Sequence, residues 1–242
     1  EIPQVLATVP IILWSGGLSL VGIVDQQTDM GLWNVLIPPG FLSFVILTIA
    51  SIAEVNRTPF DLPEAESEII AGFHTEYSSM RFGLFFMAEY MNVFGISCLG
   101  TVLFLGGGSL PIPYLMPDFP RALLGDSAVV NLLVNVLAIG IFLAKVAVYI
   151  FVMFWVRATL PRLRVDQMMN FAWKALVPLS LANIAIAAVW YEFAIRPETP
   201  HRLIGWLVTL VLTALAVWVL LARLSQGLQT VPGGRRRVPA IE

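Results

Sequence analysis

The sequence predicts an all-α fold, a polytopic bundle of about six transmembrane helices forming one integral membrane domain over residues 1–222. Of the 242 residues, 58% are hydrophobic and only 12% are charged, whereas a soluble domain carries roughly 25% charged residues. Runs of about 20 apolar residues, the length that a helix needs to cross a bilayer, recur along the chain. Because these runs are continuous and do not alternate with polar residues, they favour helices over the strands of a membrane barrel.

The apolar runs give the spans in chain order. The second run is interrupted by Pro38, Pro39 and Gly40. An acidic loop separates the second run from the third, and a basic tail follows the last. The predicted spans are about 2–24, 32–54, 80–105, 128–156, 172–195 and 203–222, with the loop at 55–79 and the tail at 223–242.

The distribution of lysine and arginine predicts the orientation of the bundle. Spans alternate in direction, so residues 54–81, residues 157–174 and the tail from Arg223 share one face, which carries ten of the chain's 14 cations. The opposite face carries only Arg121, Arg196 and Arg202. Cytoplasmic loops are enriched in lysine and arginine. We therefore expect the acidic loop and the C-terminus to be cytoplasmic.

The start of the chain is apolar from Ile2, and it has neither a methionine nor the charged lead-in of a signal peptide. We therefore expect this sequence to be the C-terminal part of a longer protein. The single cysteine, Cys98, lies within an apolar run, and the sequence has no CxxC pair, paired histidines or glycine-rich phosphate loop. The sequence thus predicts no metal, haem, iron–sulfur or nucleotide site in this chain.

The acidic loop concentrates charge beside a membrane span. Asp61 can cap a short helix whose first turn tolerates Pro63, and three glutamates follow near the positive helix N-terminus. Glu64 and Glu68 share one face of that helix, where like charges repel. A solvated surface helix and a segment lining a wet cavity both fit this pattern.

Two charged side chains fall inside predicted spans. Glu89 lies about nine residues into the third span, and a buried carboxylate there is either functional or part of a structural ion pair. Lys145 lies in the fourth span, on a polar stripe that either hydrates a proton route or holds helices together. Glu54 ends the second span at a spacing that also allows a salt bridge to Arg57. The stripe consists of Asn131, Asn135, Lys145 and Tyr149.

Two stretches identify a family. "EVNRTPFDLPEAESEIIAGFHTEYSS", followed by "FFMAEYMNVF", and the later "WVRATLPRLRVDQMMNFAWKALVPLSLAN" closely resemble the quinone-site membrane subunit of respiratory complex I, the H subunit of bacterial NADH–quinone oxidoreductase. The family has eight spans, with a ninth in some bacterial members, which the last span here resembles. The first span resembles the family's fourth, so the resemblance implies that three spans and an interfacial helix lie upstream.

The resemblance also implies roles for individual residues. In the family, buried glutamates relay protons between the quinone cavity and antiporter-like subunits, and Glu1, Glu54 and Glu89 occupy matching positions. A charged loop beside the quinone cavity couples quinone reduction to that relay. The matching loop residues are Arg57, Asp61, Glu64, Glu66, Glu68 and Glu76.

The implied setting is a multi-pass subunit of the bacterial plasma membrane, with quinone as its substrate. This chain binds no cofactor of its own and has no complete catalytic site, so FMN and iron–sulfur clusters belong to partner subunits. Those partners are the peripheral-arm quinone-site subunits and the antiporter-like membrane subunits, together with lipid and without nucleic acid.

Two alternatives remain. One is the equivalent subunit of a hydrogenase-linked or ferredoxin-linked complex. The other is a secondary transporter that uses Glu89 and Lys145 as a midplane ion site, which an internal inverted repeat would favour. The sequence has no convincing repeat of that kind.

The orientation can be tested directly. Cysteines introduced at Ser67 and Ser225 should show the same accessibility to a membrane-impermeant reagent in sealed vesicles, because both positions are predicted to be cytoplasmic. Opposite accessibility would require one span fewer or more between them and would overturn the predicted orientation.

Overall fold

The structure is a computed structural model that describes residues 1–55, 60, 80–110, 128–159, 165–195 and 202–229. Within these ranges every regular element is helical, which confirms the predicted all-α fold. The helices are α1 Ile2–Ser15, α2 Leu20–Met30, α3 Pro38–Glu54, α4 Met80–Leu105, α5 Ala128–Thr159, α6 Val165–Phe171, α7 Val177–Trp190 and α8 Arg202–Gln229. A 3-10 turn, Asn34–Leu36, precedes α3, and π-helical turns at Ala172–Leu176 and Tyr191–Ile195 flank α7.

Four described helical stretches are long and apolar enough to cross a membrane, and a bent pair formed by α1 and α2 raises the number to five. α3 is apolar but has only 17 residues. The protein is thus a multi-pass membrane protein. The sequence predicted about six similar spans, whereas the first two are replaced by a bent helix pair and a shorter helix. The four stretches are Met80–Leu105, Ala128–Thr159, Gln167–Phe193 and Gly205–Ala222.

The predicted first span is divided into two helices that meet at 60°. α1 ends because Gly16 adopts a left-handed conformation, with φ at 71°, and its amide donates to the carbonyl of Ile12. α2 begins at Ser19, whose side chain accepts a hydrogen bond from the amide of Gly22. The sequence between these two caps is short, so the bend is sharp.

The predicted second span begins as a helix only at Pro38. A proline in the first helical turn costs nothing, because the amides there have no intrahelical acceptor. The preceding 3-10 turn packs tightly on α3: a β-carbon added to Gly40 would overlap the backbone carbonyl of Asn34. Only a residue without a side chain permits this approach.

The main core joins α1, α3, α7 and α8 to the C-terminal end of α4. A line of edge-to-face tryptophans runs through it, with 5.2 Å between the ring centres of Trp14 and Trp190 and 6.1 Å between those of Trp190 and Trp206. Asn183, fully buried, donates to the carbonyl of Pro39 and to the hydroxyl of Ser43, which ties α7 to α3.

A second apolar cluster joins α3, α4 and α5. It contains Ile52 and Val55 from the end of α3, Val93 from α4, and Tyr149 and Met153 from α5. Beyond these contacts α5 is largely exposed in this chain, and so is the first half of α4. Such apolar faces belong against lipid or against other membrane helices.

The contact between the 3-10 turn and α3 leads to a stability prediction. Gly40→Ala should lower the free energy of unfolding by about 2 kcal/mol or more, because the new methyl group forces two backbone segments apart. Gly95→Ala is the matched control: a β-carbon there meets no atom within 4 Å, so the change should stay within about 1 kcal/mol. The measurement is thermal unfolding of the purified protein in detergent, and equal midpoints for the two variants would contradict the prediction.

Candidate functional site

The C-terminal end of α4 lies against the middle of α5. The chain leaves the helix through Gly106 and Gly107, both in left-handed conformations with φ of 67° and 56°. The amide of Gly107 donates to the carbonyl of Thr101 at 3.2 Å. The other carbonyls of the last turn need donors from elsewhere, because a helix leaves its final carbonyls without intrahelical partners.

Two buried amide side chains supply some of those donors. Gln27, in α2, donates to the carbonyls of Val102 and Leu103 at 3.1 and 3.4 Å. Asn34 donates to the carbonyl of Leu103 at 2.8 Å, while its own backbone amide donates to the side-chain oxygen of Gln27. The indole of Trp14 completes the network by donating to the side-chain oxygen of Asn34 at 3.3 Å.

Gln27 and Asn34 were not among the candidate residues predicted from the sequence. The signal that could have found them is their position, since both are amides at the junction of the first two apolar runs. A buried amide in a membrane protein needs a hydrogen-bond partner, so such a pair indicates contact with another polar group.

Lys145 binds the chain just beyond the helix end. Its ammonium group donates to the carbonyl of Leu105 at 2.6 Å, to that of Gly107 at 2.8 Å, and to that of Ser109. The same nitrogen lies 4.5 Å from the centre of the Trp33 ring, in cation–π geometry. This charge inside a predicted span is therefore held by backbone dipoles and an aromatic face.

The rest of the predicted polar stripe on α5 has varied surroundings. Tyr149 is buried, and its hydroxyl lies 3.0 Å from the hydroxyl of Thr48 in α3. Asn131 is half-buried and Asn135 is exposed in this chain. The structure thus brings Lys145 and Tyr149 to the contact with α3 and α4, and leaves Asn135 on the outer surface.

Glu89 lies on the half of α4 away from that buried end. The side chain is half-buried and sits one turn before Val93, on the same helix face. Val93 lines a cleft of about 290 Å³ between α3, α4 and α5. The cleft is apolar except for one cation, and its lining residues are Ile52, Val55, Val93, Met153, Phe154 and Arg157.

The other predicted relay residues lie at helix ends. Glu54 is exposed at the last position of α3, next to Val55 of the cleft. Glu1 is exposed at the start of α1 and does not line the cleft. The predicted loop residues all lie outside the described residues: Arg57, Asp61, Glu64, Glu66, Glu68 and Glu76.

In the part of the chain that the structure describes, no three histidine, cysteine, aspartate or glutamate side chains come together in a group that could hold a metal ion. The polar groups of the site are a buried helix end with its amide and ammonium donors, and the carboxylate of Glu89, one helical turn from a residue that lines an apolar cleft.

Comparisons with known proteins identify the family. Residues 1–188 match the family model of NADH dehydrogenase. The H subunit of NADH-quinone oxidoreductase from Brevibacillus brevis is 46% identical over 189 residues, which is 78% of this chain and 50% of that protein. The corresponding protein of Leptospira biflexa, which has the same name, is 44% identical over 190 residues, covering 78% and 49% of the two chains.

A third relative of that name, from Dehalococcoides mccartyi, is 46% identical over 198 residues, or 82% of this chain and 48% of that protein. The chain therefore spans about half the length of the curated relatives that it matches. The match includes both α3 and α4 and all of the acidic loop. The chain belongs to the NADH dehydrogenase family, the family of the H subunit of NADH-quinone oxidoreductase.

Proposed function

We propose that this chain is part of the membrane subunit that couples quinone reduction to proton translocation in a proton-pumping NADH–quinone oxidoreductase. It forms one wall of the quinone cavity, and Glu1, Glu54 and Glu89 carry protons away from it. The family match and the names of the relatives support an oxidoreductase subunit. The position of Glu89 is the observation that carries the finer proposal.

Glu89 sits in an apolar helix, half-buried, one turn from an apolar cleft. An ionised carboxylate at this depth is costly, so such a residue is expected to have a function. The cleft, whose volume of about 290 Å³ includes the space at its open mouth, is lined by Arg157, which supplies one positive charge at its wall. A carboxylate next to a space that water can enter is a suitable proton carrier, because water can deliver and remove the proton.

The chemistry requires charge to move when quinone is reduced. A quinone takes up two electrons and two protons to become a quinol, and negative charge that develops before protonation raises the proton affinity of nearby carboxylates. Once one member of a set of coupled carboxylates binds a proton, it alters the protonation of the others. The acidic loop, which joins α3 to α4, would pass this effect from the cavity to Glu54 and Glu89.

Other subunits supply the electrons. We expect FMN and iron–sulfur clusters in the peripheral arm, whose quinone-site subunits complete the cavity. Antiporter-like membrane subunits receive the coupling signal at the far end of the relay. The names of the relatives favour the NADH-linked enzyme over a hydrogenase-linked or ferredoxin-linked one.

A secondary transporter that uses Glu89 and Lys145 as a joint ion site fits the geometry less well. Lys145 donates to three carbonyls at the C-terminal end of α4. Glu89 lies on the other half of α4, beyond the packed residues Val93, Ser97 and Gly100. Two charges at separate depths do not make one site.

Replacing Glu89 tests the proton relay. Glu89→Gln keeps the volume and hydrogen-bonding capacity of the side chain but removes the titratable group, so the complex should assemble while quinone reduction and proton pumping fall together, by about tenfold or more. Glu89→Asp should recover part of both activities, because it restores a carboxylate. The measurements are NADH–quinone turnover and proton uptake in reconstituted vesicles.

Two controls accompany this experiment. Asp29→Asn, a change at an exposed carboxylate in α2, should leave both activities intact, and NADH–ferricyanide activity should be equal in all variants because it reports only the peripheral arm. Full pumping in Glu89→Gln would exclude Glu89 from the relay. Loss of assembly in Glu89→Gln would instead indicate a structural ion pair.

A second experiment tests the acidic loop. Glu64→Gln combined with Glu68→Gln should lower quinone reductase activity severalfold without loss of assembly, because two like charges four residues apart would repel in the predicted helix and are not expected there for stability. Activity at the parent level in fully assembled complex would favour a solvated surface helix. The measurement is turnover per assembled complex, with assembly quantified on native gels.

A further inference from the structure

Three backbone carbonyls converge on one point at the C-terminal end of α4. They belong to Leu105, Gly107 and Ser109, and the left-handed turn at Gly106 and Gly107 aims them at the same position. The face of the Trp33 ring closes one side, 4.5 Å from that position. The ammonium nitrogen of Lys145 occupies the point.

This arrangement matches the chemistry of a primary ammonium ion. An alkylammonium group carries three N–H donors and no acceptor, and it meets three carbonyl acceptors here. A neutral amine has only two N–H donors and would direct its lone pair at the third carbonyl. Aromatic faces attract ammonium cations through the ring quadrupole, which adds to the preference for the charged form.

We propose that residues 105–109 and Trp33 form a binding site for an alkylammonium cation, which Lys145 fills from α5 as a fixed charge that positions the end of α4. The three acceptors of the site are backbone carbonyls, so the site would persist when the side chain of Lys145 is removed. Lys145 is then a positioning residue and does not carry protons. The proposal is independent of the function proposed above, because it concerns only the local structure.

Chemical rescue tests the site without measuring catalysis. Lys145→Ala removes four side-chain atoms, and n-propylammonium restores three carbons and a nitrogen in the same order. The readout is hydrogen–deuterium exchange at the amides of Gly107 and Ser109, which donate to the carbonyls of Thr101 and Gly106 in the parent. The protein is purified from membranes in mild detergent with the subunits that accompany it.

In Lys145→Ala, exchange at these two amides should be at least about tenfold faster than in the parent, because the turn loses the cation that holds it. Added n-propylammonium chloride should restore most of the protection, whereas 1-propanol, which has the same shape and no charge, should not. Lys174→Ala, at an exposed lysine, should exchange like the parent and respond to neither compound.

Three results would overturn the proposal: parent-like exchange in Lys145→Ala, no recovery of protection with n-propylammonium, or equal rescue by 1-propanol, which would indicate simple cavity filling. If Lys145→Ala cannot be purified, Lys145→Met provides the test, since it keeps most of the stem and removes the charge. Exchange at least about tenfold faster in Lys145→Met supports the proposal, and parent-like protection in that variant overturns it.

Discussion

The last carbonyls of a helix have no partners within the helix, so the protein must supply donors for them wherever water is excluded. The C-terminal end of α4 meets this requirement through side chains from three other elements: Gln27 from α2, Asn34 from the turn before α3, and Lys145 from α5. Two of these donors come from the irregular N-terminal half of the chain. Gln27 lies in α2, which follows the break after α1, and Asn34 lies in the 3-10 turn that precedes the late start of α3.

The two halves of α4 differ in how they are packed within this chain. Its packed residues all lie in the second half, where the helix contacts α2, α3 and α5, and the first half is largely exposed within this chain. Glu89 belongs to the exposed half and Val93 begins the packed one. The carboxylate is therefore attached to a helix whose second half is packed, and it is itself only half-buried within this chain.

Much of this architecture could be predicted from the sequence, because long apolar runs are decisive for membrane helices. The third and fourth spans, predicted at 80–105 and 128–156, lie within Met80–Leu105 and Ala128–Thr159. The break in the first span was missed, since an apolar run hides a turn made by Gly16 and Gly17. Lys145 and Glu89 stood out as lone charges in apolar sequence. The partners of Lys145 could not be predicted, because they are backbone carbonyls, which every residue possesses and only the tertiary fold selects. The acidic loop lies outside the described residues, so the roles predicted for it stay predictions.

The donors that hold the end of α4 are also separated in the order of synthesis. Asn34 precedes its acceptor, Leu103, by 69 residues, whereas Lys145 follows its acceptor, Leu105, by 40. A growing chain therefore has two donors for this helix end, Gln27 and Asn34, available as soon as α4 is made, and it gains the third, Lys145, only when α5 emerges. At that moment the residues whose carbonyls accept the lysine have already been synthesised, so the charged side chain of α5 enters the bilayer after its partners.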